Sequence, residues 1–158
     1  NAYVRWCRQE PKKKAVVIYD TMWHSTEKMA NAVVAGINAE GVPAKPLHLR
    51  KTHRSEIMVE VFDAGAVVLG SPTLNNQLYP TLADFLTYMK GLKPLNKIGA
   101  AFGSYGWSGE AVKMLNQELE AMKFDIVDPG LRVQYVPDKE ALETCYALGR
   151  KIGKALLE

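Results

Sequence analysis

Three near-continuous apolar runs constrain this chain most: Lys14-Ala-Val-Val-Ile-Tyr-Asp20, Ala66-Val-Val-Leu-Gly70 and Ile98-Gly-Ala-Ala-Phe-Gly103. A strand with one wet face alternates apolar and polar residues, whereas a strand of a parallel sheet, covered by helices above and below, is apolar throughout. Helical periodicity follows each run. Ala30, Val33, Val34 and Ile37 fall at i, i+3, i+4 and i+7, with Glu27 in the first turn and Gly41 as the C-terminal stop. Residues 80–92 present Leu82, Phe85, Leu86 and Met89 on one face, with Pro80 in the first turn. Residues 109–123 present Val112, Leu115, Leu119 and Met122. Between the first and second runs, residues 44–49 read as a weaker strand that Pro46 assigns to a sheet edge. Residues 55–62 read as a short helix with Ser55 as its N-cap. Residues 131–136 form a fifth strand, and Asp138 caps a last helix with a buried stripe of Leu142, Cys145, Gly149, Ile152 and Leu156. Five strands alternating with five helices, joined by right-handed crossovers, make a doubly wound α/β sandwich around one parallel sheet.

The length of 158 residues suits one such domain. Lys+Arg 20 against Asp+Glu 17 gives a net charge of +3, too weak and too scattered for a nucleic-acid surface. Lys12, Lys13 and Lys14 read as a solvated lead-in to the first strand. Cys7 and Cys145 form neither a disulfide framework nor a zinc motif, so a reducing cytoplasm fits, with Cys145 a core residue. No apolar stretch approaches the roughly 18 residues of a membrane span. Tyr3, Val4 and Trp6 stand stranded before Pro11, as expected of a domain cut from something longer.

In a doubly wound sheet, ligands bind beyond the carboxyl ends of the strands at the topological switch point. Three loops lie there. The first, Thr21, Met22, Trp23, His24, Ser25 and Thr26, runs directly into a helix, so hydroxyls, free N–H groups and the positive end of a helix dipole form a phosphate cradle. It holds no Lys or Arg before Lys28, and both GxxxxGK[ST] and GxGxxG are absent. A hydroxyl-rich helix cap is the plainer reading. The second loop, residues 71–80 with Ser71, Pro72, Thr73, Leu74, Asn75 and Asn76 at its start, offers donors and acceptors suited to the edge of a planar heterocycle, or simply turn formers. In the third, Ser104, Tyr105, Gly106, Trp107, Ser108 and Gly109, glycines let the backbone approach a ligand while a ring stacks on it. A surface aromatic cluster is the alternative there. A phosphate site, a polar edge and a stacking face together describe a pocket for flavin mononucleotide (FMN).

Other chemistries lack their residues. Gly106-Trp-Ser-Gly109 departs from the GxSxG elbow of serine hydrolases, because Glu110 stands where the closing glycine belongs. Gly70 and Ser71 close strand three where a phosphorelay receiver needs an Asp, and His24, His48 and His53 form no metal-ligand pair.

At these loops the sequence resembles the flavodoxin-like domain of the A-type flavoproteins, or flavodiiron proteins, the group of rubredoxin:oxygen oxidoreductase and flavorubredoxin. The resemblance runs from Lys14 to the C-terminus and is carried by residues 19–30, 70–76 and 101–109. It implies a five-stranded parallel sheet of order 2-1-3-4-5, a domain at residues 14–158, and a linker at residues 1–13 from an upstream diiron domain. Thr21 to Thr26 would hold the FMN phosphate, chiefly through Ser25 and Thr26. Pro72 to Asn76 would line the isoalloxazine, and Ser104 to Gly109 would close the other side, with Trp107 stacking and Tyr105 second. Leu74 replaces an aromatic that flavodoxins often place there. The family further implies electrons from rubredoxin or a similar donor, a head-to-tail homodimer, and a diiron centre that reduces dioxygen to water or nitric oxide to nitrous oxide. A free-standing flavodoxin is the second reading, although flavodoxins are typically strongly acidic and this chain is not.

Overall fold

The structure is a computed structural model that describes residues 3, 4, 7, 12–21, 24–74, 77–94, 97–105, 110–134 and 136–158. In chain order its elements are β1 (Lys12–Tyr19), α1 (Ser25–Ala39), β2 (Ala44–His48), α2 (Arg54–Asp63), β3 (Ala64–Leu74), β4 (Gln77–Leu78), α3 (Pro80–Leu92), β5 (Ile98–Tyr105), α4 (Glu110–Ala121), β6 (Asp125–Ile126), β7 (Leu131–Gln134) and α5 (Lys139–Leu157). The sheet runs β2-β1-β3-β5, and both β6 and β7 pair in parallel with the outer edge of β5. The expected order therefore holds, with β2 at one edge, where Pro46 faces Val17 and needs no second partner.

Side chains along β1 alternate between two cores, as the twofold period of a strand requires. Val16 and Ile18 join Ile57, Val61, Leu82, Phe85, Leu115 and Leu119 under α2, α3 and α4. Val17 and Tyr19 join Met29, Val33, Ile37, Cys145 and Ile152 under α1 and α5. Because both faces are covered, residues 15–19 of β1 and 64–70 of β3 form apolar runs, and this is why they were visible in the sequence.

Several local expectations change. Lys12 and Lys13 are exposed, but the three lysines belong to β1 rather than lead into it, and Lys12 and Lys14 form ion pairs with Asp63 (3.0 and 3.2 Å), with Lys14 also 2.8 Å from Glu60. The N-cap of α2 is His53, whose ring accepts from the Ser55 N–H, rather than Ser55. In α5, Leu148 is buried, while Leu142 and Leu156 are only partly covered. The expected fifth strand is β7, which ends at Gln134, and a further short strand, β6, precedes it: Asp128 Oδ1 accepts from Gly130 N–H at 2.9 Å and Gly130 takes φ +110, a turn that separates the two. Strand β3 also outruns its apolar core, and β4 folds back on it with Thr73 opposite Leu78. Among the described residues, no helix is long and apolar enough to cross a membrane.

Candidate functional site

The three loops converge because β1, β3 and β5 lie side by side and end at one edge. Pro72 on β3 stands opposite Ser104 on β5, so the starts of the second and third loops are adjacent strand ends. Gly103 makes this approach possible, since a Cβ there would lie 2.4 Å from the Ser71 carbonyl oxygen. Side chains tie the loops together. Thr26 Oγ1 and Ser104 Oγ are 2.9 Å apart, joining the first loop to the third, and the Ala111 N–H donates to Thr73 Oγ1 at 3.3 Å, joining the second to α4.

In the first loop, Thr21, Ser25 and Thr26 are all buried. His24 is the N-cap of α1 in the left-handed conformation (φ 64) and makes no side-chain cap, so its side chain satisfies none of the first-turn N–H groups. Its imidazole is 79% exposed, with Nδ1 2.9 Å from Glu27, and this hydrogen bond holds the Glu27 carboxyl below its usual range. The ring of His24 therefore turns to solvent. Thr21 Oγ1 is buried with no hydrogen-bond partner among the described residues. A hydroxyl in that condition costs about 1 to 3 kcal/mol unless something accepts from it or donates to it. Buried hydroxyls, an uncapped helix start and the dipole of a 15-residue helix fit a phosphate monoester bound by neutral donors. The FMN phosphate suits this set.

In the second loop, Pro72 is buried, Thr73 is half-buried, and Leu74 ends β3. In the third, Ser104 is buried and Tyr105 half-buried, at the end of β5. Met22, Trp23, Asn75, Asn76, Gly106, Trp107, Ser108 and Gly109 lie outside the described residues. Among the described residues, no group of three or more His, Cys, Asp or Glu could hold a metal ion.

Sequence reasoning missed a cluster around Asp20, which is wholly buried immediately before the cradle. Its carboxylate accepts from the Thr21 N–H, His48 Nε2, Arg50 Nε and Thr81 Oγ1. Burial pushes this carboxyl up, but the hydrogen bonds from Thr81, Thr21 and His48 and the charge of Arg50 outweigh it, so the group stays below the usual carboxylate range. A charged residue closing a buried strand was the one available signal.

Comparison with known proteins agrees with this fold. The profile of the Flavodoxin family matches residues 17–149. A nitric oxide reductase of Moorella thermoacetica is 46% identical over 158 residues, which is 99% of this chain and 40% of that protein. Rubredoxin oxygen:oxidoreductase from Desulfovibrio gigas superposes with a TM-score of 0.95 at 45% identity, covering 98% of this chain and 39% of that one. An archaeal flavodoxin superposes with a TM-score of 0.83 at 31% identity, covering 92% of this chain and 99% of its own. The chain thus spans about two fifths of the length of the curated relatives it matches and nearly all of a flavodoxin. With its sheet order, its three converging strand ends and these matches, the chain belongs to the flavodoxin family as an FMN-binding domain of the kind that flavodiiron proteins carry.

Proposed function

We propose that this chain is the electron-transfer domain of a cytoplasmic flavodiiron oxidoreductase, taking electrons from rubredoxin or a similar donor and passing them to a diiron site borne by another part of the same protein. That site would reduce dioxygen to water or nitric oxide to nitrous oxide, in a head-to-tail homodimer that sets one subunit's flavin against the other's iron. Residues 1–13 would be the connection and residues 14–158 the domain. The observation that carries this reading is the 46% identity to a nitric oxide reductase and to a rubredoxin-oxygen oxidoreductase along almost the whole chain, though it is about two fifths of their length.

FMN, when bound, supplies one- and two-electron redox chemistry, and the protein supplies binding, orientation and shielding. Thr21, Ser25 and Thr26, with the first-turn amides of α1, would hold the phosphate. Met22, Trp23 and the backbone of His24 would complete that loop. Pro72, Thr73, Leu74, Asn75 and Asn76 would line one edge of the ring system, and Ser104, Tyr105, Gly106, Trp107, Ser108 and Gly109 the opposite side. No acid or base in this arrangement is asked to move a proton.

The archaeal flavodoxin that superposes over nearly its whole length supports a second reading, a free-standing carrier. Mixing the FMN-loaded chain with reduced rubredoxin under anaerobic conditions separates the two. The expected result is bleaching of the flavin absorbance, with no consumption of nitric oxide or dioxygen at enzymatic rates until the full-length protein is supplied. Failure to accept electrons from rubredoxin, or a full-length protein that turns over neither gas, would overturn the first reading.

A further inference from the structure

Asp20 presents an energetic problem that folding alone does not explain. An ionised carboxylate with no solvent exposure costs several kcal/mol unless its lone pairs are filled, and here they are filled from separate parts of the chain. The Thr21 N–H donates to Oδ1 at 2.7 Å and His48 Nε2 donates to the same oxygen at 2.9 Å. Arg50 Nε lies 3.3 Å from Oδ2, and Thr81 Oγ1 donates to Oδ2 at 2.5 Å. The donors are themselves held. The His48 ring stacks on Tyr19, with centroids 5.0 Å apart and planes 9° apart. The Arg50 guanidinium lies over the Tyr79 ring, 5.1 Å from its centroid. Thr81 sits in the first turn of α3, and the Tyr79 N–H that precedes this helix donates to Ser71 Oγ on β3.

The carboxylate thus fastens the end of β1 to the end of β2 and to the start of α3, and through the Thr21 amide it fixes the first residue of the cradle. Consuming the Thr21 N–H removes one potential phosphate donor. It also leaves the buried Thr21 Oγ1 as that residue's remaining hydrogen-bond donor, without a partner among the described residues. We infer that Asp20 is a positioning residue for phosphate recognition: clamped by His48, Arg50 and Thr81, it holds Thr21 so that the cradle distinguishes a flavin bearing a phosphate monoester from one without. The inference rests on the reading that residues 21–26 bind the phosphate. Arg50 also offsets the negative charge that a carboxylate would otherwise present to a bound phosphate dianion.

The test compares FMN with riboflavin, which lacks the phosphate, by fluorescence titration of the wild-type chain, Asp20→Asn and Thr81→Val. Asparagine keeps the shape and one acceptor but turns an amide donor toward groups that themselves donate. For Asp20→Asn, FMN affinity should fall about tenfold or more, the scale of one charge-assisted hydrogen bond. Riboflavin affinity should stay within about twofold, on the same scale of affinities. Thr81→Val, which removes one clamp and leaves the carboxylate, should lower the FMN to riboflavin ratio in the same direction by a smaller factor, and it decides the matter if Asp20→Asn does not fold. An unchanged ratio, whether both affinities fall together or neither moves, overturns the inference and leaves Asp20 a structural residue. If the wild-type chain itself binds FMN and riboflavin equally, the phosphate-loop reading fails first.

Discussion

Lys97 shows at the scale of one residue how a buried charge writes a pH dependence into the fold. It is 3% exposed, and its Nζ donates to the carbonyl oxygens of Phe62 (3.0 Å) and Ala64 (2.5 Å), where α2 ends and β3 begins. Burial pushes its pKa down from 10.5 to about 8; Asp63 opposes the shift and Lys14 adds to it. Unfolded Lys97 keeps its proton to about 10.5 and the folded residue releases it near 8. Between those values the unfolded state binds more protons, so stability rises with pH. Relative to Lys97→Met, which keeps the bulk and removes the titration, the wild-type chain should gain roughly 2 kcal/mol between about pH 7 and 9.5 in urea denaturation. A flat difference would mean that burial does not lower the Lys97 pKa, folded and unfolded residues releasing their protons at the same pH. Nothing in the sequence before residue 98 marks Lys97 as buried, and nothing links Asp20 to His48, Arg50 and Thr81, because these contacts form only when segments far apart in the chain are folded together. The hydroxyls of Thr21, Ser25 and Thr26 were legible, since the local sequence alone places them at a helix start after a buried strand.

At the scale of elements, α1 and α5 approach so closely that glycine is required on both. A Cβ on Gly36 would lie 2.1 Å from the Tyr146 carbonyl oxygen, and one on Gly149 would lie 2.1 Å from that of Val33. Backbone cannot yield as a side-chain tip can, so Gly149→Ala must push α5 away from the core of Met29, Val33 and Ile152. The expected cost is about 1 to 3 kcal/mol, which exceeds the roughly 1 kcal/mol gained in helix propensity. Gly91, inside α3, has nothing within 4 Å of an added Cβ. Gly91→Ala should therefore stabilise by about 0.5 to 1 kcal/mol, and thermal unfolding of the two variants should shift in opposite directions. The sequence placed Gly149 on the buried stripe but could not distinguish an essential glycine from a tolerated one, because the opposing surface is another helix. Its longer elements were legible because a strand buried on both faces, or a helix buried on one, leaves a periodic trace. The two-residue strands β4 and β6 leave none, being strands only through the neighbours they pair with.

For the whole molecule, the decisive property is that one ligand would bridge loops whose residues lie as far apart as Thr21 and Ser104. Thr26 and Ser104 already touch across this distance, and the strands carrying the loops form the centre of the sheet, so the cradle cannot open without disturbing the core. Cofactor binding and global unfolding should therefore be a single linked equilibrium rather than a local ordering of loops. With free FMN a hundredfold above its Kd, linkage adds about 2.7 kcal/mol to the stability. For a domain of this size that corresponds to a rise in Tm of roughly 5 to 10 °C. The double variant Ser25→Ala/Thr26→Ala, losing about tenfold in affinity per hydroxyl, would bring the same FMN concentration near its Kd and shrink the linkage to about 0.4 kcal/mol. Calorimetry on both chains, each with and without FMN, should thus show one cooperative transition that moves with FMN in the wild type and barely moves in the double variant. A second transition appearing with FMN would show that the loops order independently of the sheet. An equal shift in both chains would show that the phosphate is held by groups other than these two hydroxyls, which would return the cradle to an ordinary helix cap.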